Sequence, residues 1–247
     1  MDTADASVLV VQAPPVLTFQ YNVAELKVNP FVAGTALFVG GTEKADTITI
    51  TTLSSGKIRV VINGKAKGDF AGANFVYVQA YGGNDTVTLD KSVKLDTMVF
   101  GGKGNDTLKG GSGNDVLSGE EGDDKIYGGW DGSDILIGGL GADSLWGHDS
   151  ANTAPGRDGN LLIGDRLTYA QEADKLFAVY GKWTSADSYS QRVTALKNGT
   201  NGIPRIDSAS VVNDRKVDKL VGGIGMDWFF LTLSQDTHDA KPGERIR

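Results

Sequence analysis

The fold this sequence predicts is all-β: a right-handed parallel β-solenoid with a short two-helix insertion near its C-terminus. Three observations predict it. A nine-residue unit recurs through the middle of the chain, glycine and acid are concentrated in that same stretch, and the flanks carry short alternating apolar runs broken by one stretch of helical period.

Composition bounds the chemistry first. The 247 residues include 34 glycines, about twice average usage. Twenty-four Lys and Arg against 31 Asp and Glu give a formal charge of −7, which disfavours nucleic acid and anionic lipid as partners and favours cations. The absence of cysteine excludes disulfides, zinc-thiolate and iron–sulfur sites and a thiol nucleophile. No apolar run approaches the ~20 residues of a membrane-spanning helix. Residues 1–6 lack the basic start and apolar core of a signal peptide, so the chain is expected to be soluble, with any export signal cleaved, C-terminal or absent.

Residues 101–147 hold 15 of the 34 glycines and nine carboxylates against three lysines. They divide into GGKGNDTLK, GGSGNDVLS, GEEGDDKIY, GGWDGSDILI and GGLGADSLW, with one extra residue in the fourth unit. Asp106, Asp115, Asp124, Asp134 and Asp143 fall in equivalent positions, each followed two residues later by Leu108, Leu117, Ile126, Leu136 or Leu145. Each unit is then a glycine turn and a very short strand that buries one aliphatic side chain. Two units make one coil, with turns on alternating sides and a row of aliphatics inside.

Stacking sets the chemistry of the turns. Loops two units apart lie roughly one strand spacing of ~4.8 Å apart, so their aspartates are expected to face each other with a cation between them. The ligands on offer are carboxylates and carbonyls, hard oxygens that select calcium over zinc or copper. Loops at 101, 119 and 138 share one side and those at 110 and 128 the other, giving at least three inter-loop sites.

These units resemble GGxGxDxUx, the nonapeptide of the repeats-in-toxin (RTX) calcium proteins, which form parallel β-rolls. The resemblance implies that the five aspartates supply carboxylates, and that carbonyls at glycine positions (Gly102, Gly104, Gly111, Gly113, Gly122, Gly139 and Gly141) complete the shells. Glu120 stands at the second glycine of the third unit, and the fourth unit carries its insertion around Asp131.

Weaker copies flank the core. Upstream, Asp46 precedes Ile48, Asp85 precedes Val87 and Asp96 precedes Met98; KIRVVING and NFVYVQA alternate as half-buried strands do, with Asn63-Gly64 as a hairpin or tight-turn signal. These are expected to be metal-free rungs. Downstream, GNLLIGD puts Asn160 where an acid belongs, and VDKLVGGIGMDWFF restores two units through Asp218 and Asp227, the latter a further expected ligand. Between them, 168–182 and 185–197 place Tyr169, Leu176, Phe177 and Tyr180, then Tyr189, Val193 and Leu196, at helical spacing, with Thr184 or Ser185 as N-cap, and two short helices packed on the side of the solenoid are expected. This closing region is similar to that of large secreted bacterial RTX-repeat surface proteins.

The organisation expected is therefore an N-terminal β segment (1–35), metal-poor rungs (36–100), the calcium β-roll (101–147), the helical insertion (148–213) and a final rung with tail (214–247). SVLVVQ and LTFQYNV, with Leu17, Phe19, Tyr21 and Val23 on one side, either cap the first coil or add a strand to a neighbouring subunit; solenoid ends can also stack. No GxxxxGK[ST] is present, so the glycines are not read as a phosphate loop. Trp130, Trp146, Trp183 and Trp228 are expected to be packing residues, with Trp130 the candidate for carbohydrate contact. His148 and His238 are expected in exposed loops, outside any catalytic motif. The function expected is a non-catalytic, calcium-binding, secreted or cell-surface structural or adhesive protein that folds on calcium after export. A self-assembling fibre or surface-layer subunit and a polysaccharide-processing enzyme are the alternatives.

Overall fold

The fold is built coil by coil, each coil giving a longer strand to one sheet and a short strand to a second. The computed structural model describes residues 16–148, 159–199, 202–223, 225–242 and 244–246. An antiparallel strand β1 (Val23–Val28) opens the first sheet against β2 (Thr35–Thr42). β3 (Thr47–Thr52) follows in the second sheet, where a hairpin of β4 (Ile58–Ile62) and β5 (Lys65–Phe70) extends it. The coils then alternate: β6 (Ala73–Gly82) and β7 (Thr86–Leu89), β8 (Thr97–Lys103) and β9 (Thr107–Lys109), β10 (Asp115–Glu121) and β11 (Lys125–Tyr127), β12 (Ile135–Leu140) and β13 (Ser144–Trp146). After β14 (Leu161–Leu167) the chain leaves the solenoid for α1 (Ala173–Trp183), α2 (Tyr189–Asn198) and β15 (Val211–Val212). It returns as β16 (Lys219–Val221), β17 (Trp228–Phe230), β18 (Thr237–His238) and β19 (Arg245–Ile246).

Strand composition follows from which faces are covered. Between the sheets, Val39, Val78, Val99, Leu117, Leu136, Leu162 and Phe229 stack in register from the first sheet. They meet Ile48, Val87, Leu108, Ile126, Leu145 and Leu220 from the second, and all are buried. Second-sheet strands TLK, KIY and SLW bury only this central residue. First-sheet strands are buried on both faces and read as continuous apolar runs, as parallel strands under helices do.

That second burial forms another core, outside the solenoid. Tyr77, Met98, Val116, Ile135, Leu161 and Trp228 line up on the outer face of the first sheet, and Leu176, Val179, Trp183, Val193 and Leu196 of the helices pack against them. Arg192 lies over the Trp183 ring at 4.9 Å and donates to the Trp183 carbonyl. Each such aliphatic removed from water contributes about 1.5–3 kcal/mol, so the insertion is an integral layer of the fold.

Several expectations need correcting. Helix α2 is capped by Ser188, with Gln191 completing a capping box, because Ser185 and Thr184 belong to the end of α1 and the turn after it. Helix α1 buries Leu176, Val179 and Trp183, leaving Phe177 and Tyr180 partly covered. Asp96 is displaced by one residue: Thr97 pairs with Asp115, so Met98 faces the outer core, the consequence of a one-residue slip in a two-residue period. His148 is buried, while His238 is exposed in β18. Segment 7–12 lies outside the described residues. Leu17 and Phe19 pack on the outer core, and β1 caps β2 of its own chain.

Candidate metal centre

The turns stack into two columns. Residues Asp46, Asp85, Asp106, Asp124, Asp143, Asp218 and Asp236 form the first. In it the main-chain N–H of each donates to Oδ1 of the next, at 2.7 Å for Asp85 to Asp106, 2.7 Å for Asp106 to Asp124 and 2.8 Å for Asp124 to Asp143. Thr97, Asp115, Asp134, Asn160 and Asp227 form the second: Thr97 Oγ1 donates to Asp115, and from Asp115 onward each N–H donates to the next side chain. Successive acids therefore do not confront each other directly, as the spacing alone suggested. One oxygen of each is held by a peptide N–H of the neighbouring coil.

The other oxygen carries the chemistry. Oδ2 of Asp85, Asp106, Asp124, Asp143, Asp218 and Asp227 is buried and has no hydrogen-bond partner. A buried carboxylate oxygen without a donor is costly, and burial pushes these groups up: Asp106 and Asp227 to about 6, Asp85 and Asp218 to about 7, Asp124 and Asp143 to about 8. Asp115 and Asp134 are raised by burial as well.

The first glycine of each unit makes room for this oxygen. A Cβ on Gly119 would strike Asp124 Oδ2 and lie 2.6 Å from the Gly138 carbonyl of the next coil. Gly101 repeats this with Asp106 and the Gly119 carbonyl at 2.7 Å, and Gly138 with Asp143 and the Gly164 carbonyl. Carboxylate and carbonyl oxygens thus converge beside a bare Cα, once per coil. An all-oxygen set with unsatisfied negative charge fits a hard cation such as calcium.

The two columns are not equivalent. Asp115 Oδ2 accepts the Gly111 N–H at 2.8 Å and its Oδ1 the Thr97 hydroxyl, so the second column begins with a satisfied acid. Asp46 is likewise satisfied, by Thr42 and Asn63. Ala80 stands where the Asp85 unit would have its first glycine, although Asp85 Oδ2 lacks a partner as the repeat acids do.

Of the glycines expected to lend carbonyls, Gly104 and Gly122 direct theirs at Gly122 and Gly141 of the following coil, and Gly111 and Gly113 theirs at Gly129 and Gly132. Gly102 and Gly139 sit at positive φ, their Cα atoms against the carbonyls of Tyr81 and Glu120. Glu120 itself holds φ near 80° in this glycine row. Sequence reasoning missed the carbonyls of Gly119, Gly138 and Gly164, because their approach to an acid depends on the coil before them.

The tryptophans separate. Trp183 and Trp228 are fully buried, Trp146 stacks on Tyr127 at 4.6 Å, and Trp130 lies under Lys91 and Lys109. Among the described residues no helix is long and apolar enough to cross a membrane.

No curated protein and no solved structure matches the chain significantly. The RTX calcium-binding nonapeptide repeat (four copies) matches residues 100–131 and again 131–160, the stretch in which the loops just described stack. The resemblance to RTX calcium-binding nonapeptide repeats is thus found by the family comparison as well, over residues 100–160.

Proposed function

We propose that this chain is an extracellular, calcium-binding structural or adhesive protein whose solenoid folds when calcium becomes available after export. The observation that carries the reading is the file of buried Oδ2 atoms without donors, from Asp106 through Asp124 to Asp143, each beside a carbonyl of the next coil. Bound calcium would neutralise these acids at their site of burial, with Asp115, Asp134 and Asp227 serving the other column. Extracellular calcium modules have dissociation constants of ~10⁻⁴ to 10⁻³ M. At about ten times that concentration each site adds about 1.4 kcal/mol, while at cytosolic calcium the gain is near zero and the buried acids oppose folding.

No catalytic role is proposed: one oxygen of each of these acids is held by a backbone donor of a neighbouring coil. Far-UV circular dichroism during chelation and calcium readdition tests the reading. Loss and recovery of β signal are expected, and an unchanged spectrum and melting temperature would refute it.

A further inference from the structure

We infer that Asp165, which stands off the acid columns, joins the column acids Asp218 and Asp236 in a calcium site beyond the matched repeats at 100–160, one that staples the last coils and the helical insertion to the solenoid. One carboxylate oxygen of each lies within 4.8 Å of the other two. Asp165 and Asp218 are buried and Asp236 is half-buried.

The second, independent observation is the state of Asp218: 1% exposed, its Oδ2 has no hydrogen-bond partner. The donors that do reach the trio are neutral. Asp165 accepts the Asp214 N–H at 3.0 Å and the Thr232 hydroxyl; Asp218 Oδ1 accepts the Asp143 N–H at 2.8 Å. Asp236 accepts the N–H groups of Asp218 (3.1 Å), Thr232 (3.2 Å) and Leu233 (2.9 Å). Three carboxylates gathered around neutral donors leave a strongly negative oxygen cluster, the donor type of a hard divalent cation.

The site departs from the repeat pattern. Asp165 pairs in register with Gly139, so it puts a carboxylate where the repeats put a glycine. Its three acids come from β14, from the turn before β16 and from the turn after β17, and Asp214, which donates to Asp165, comes from the end of the insertion. An ion there closes a loop of about fifty residues and ties both ends of the insertion to the same coil, where closure of a long loop gives the larger entropic effect.

The test uses the full chain. Terbium as a calcium surrogate, in crystals of the unsubstituted protein, should give an anomalous peak among the three acids. By equilibrium dialysis, Asp165→Asn and Asp236→Asn should each bind one calcium ion fewer than the parent. Hydrogen exchange in calcium should speed up in β14 and β16 of those variants, with β9 and β11 unchanged. Repeat loops filled with terbium while this cluster stays empty would overturn the inference, as would unchanged calcium stoichiometry in both variants. A filled cluster beside empty repeat loops would support it and refute the repeat-site reading instead.

Discussion

Asp124→Asn should change sign with calcium. In the calcium-free chain at pH 8, Asp124 is an ordinary ionised carboxylate when unfolded but is pushed up to about 8 by burial when folded. About four pKa units at 1.36 kcal/mol each set a ceiling of roughly 5 kcal/mol on what this acid costs the fold. Asparagine removes that cost while keeping Oδ1 as acceptor for the Asp106 N–H. Its amide can donate to the Gly138 carbonyl, as Asn160 already does to Gly222 at 3.4 Å in the other column. The expected gain is about 1–3 kcal/mol, the usual scale for relieving an unsatisfied buried polar group. In millimolar calcium the same substitution forfeits a site and should cost about 1.4 kcal/mol or more. Urea unfolding followed by tryptophan fluorescence measures both, with trimethylamine N-oxide in the chelator arm to bring the chains into their transition range. If the variant is less stable than the parent in chelator as well as in calcium, the buried-charge reasoning is wrong.

Four further expectations follow from the columns and the outer core. Because Asp85, Asp106, Asp124, Asp143 and Asp218 have folded pKa values of about 6 to 8, above their unfolded values, the calcium-free fold is destabilised as pH rises through that range and regains stability as pH falls toward about 4. Calcium affinity should move the opposite way and weaken on acidification, which titrations at pH 5.5 and 8 will compare. Gly119→Ala should cost about 1–3 kcal/mol by overpacking against Asp124 and the Gly138 carbonyl, and should remove a bound calcium ion, read by dialysis and thermal melts. Trp183→Ala should cost about 3–5 kcal/mol and loosen the helices from the outer core while leaving calcium stoichiometry intact, seen as earlier proteolysis within 168–198.

The inner half of this fold was legible because its periods are local. Asp106–Leu108, Asp85–Val87, Asp218–Leu220 and Asn160–Leu162 all recur at the repeat spacing, and each second member enters the inner stack. Asp96–Met98 has the same spacing yet falls out of register: Thr97 takes the column position by donating its hydroxyl to Asp115, a fact that exists only once the coils are stacked. The outer core was legible in part, since 168–182 and 185–197 read as two short helices packed on the side of the solenoid. NFVYVQA reads as an alternating, half-buried strand, yet Phe75 to Val78 are buried on both faces because the outer face is covered as well, by residues of α1 whose sequence lies about a hundred positions further on. At the candidate site the carboxylates were legible from spacing. The N–H donor that holds one oxygen of each acid, and the next coil's glycine carbonyl beside the other, were not, since both come from residues about eighteen or more positions away. Asp165 was unreadable as a ligand for the same cause, since it occupies a glycine row rather than the acid position.

Calcium-dependent folding of the unsubstituted chain is the most direct test of the central claim, that the stacked turns fold as a unit with their cation. Far-UV circular dichroism, recorded as free calcium is raised from chelated levels to several millimolar, should show a disordered spectrum converting to β structure in one cooperative step. A full β spectrum in chelator at pH 8, with no change on adding calcium, would contradict it.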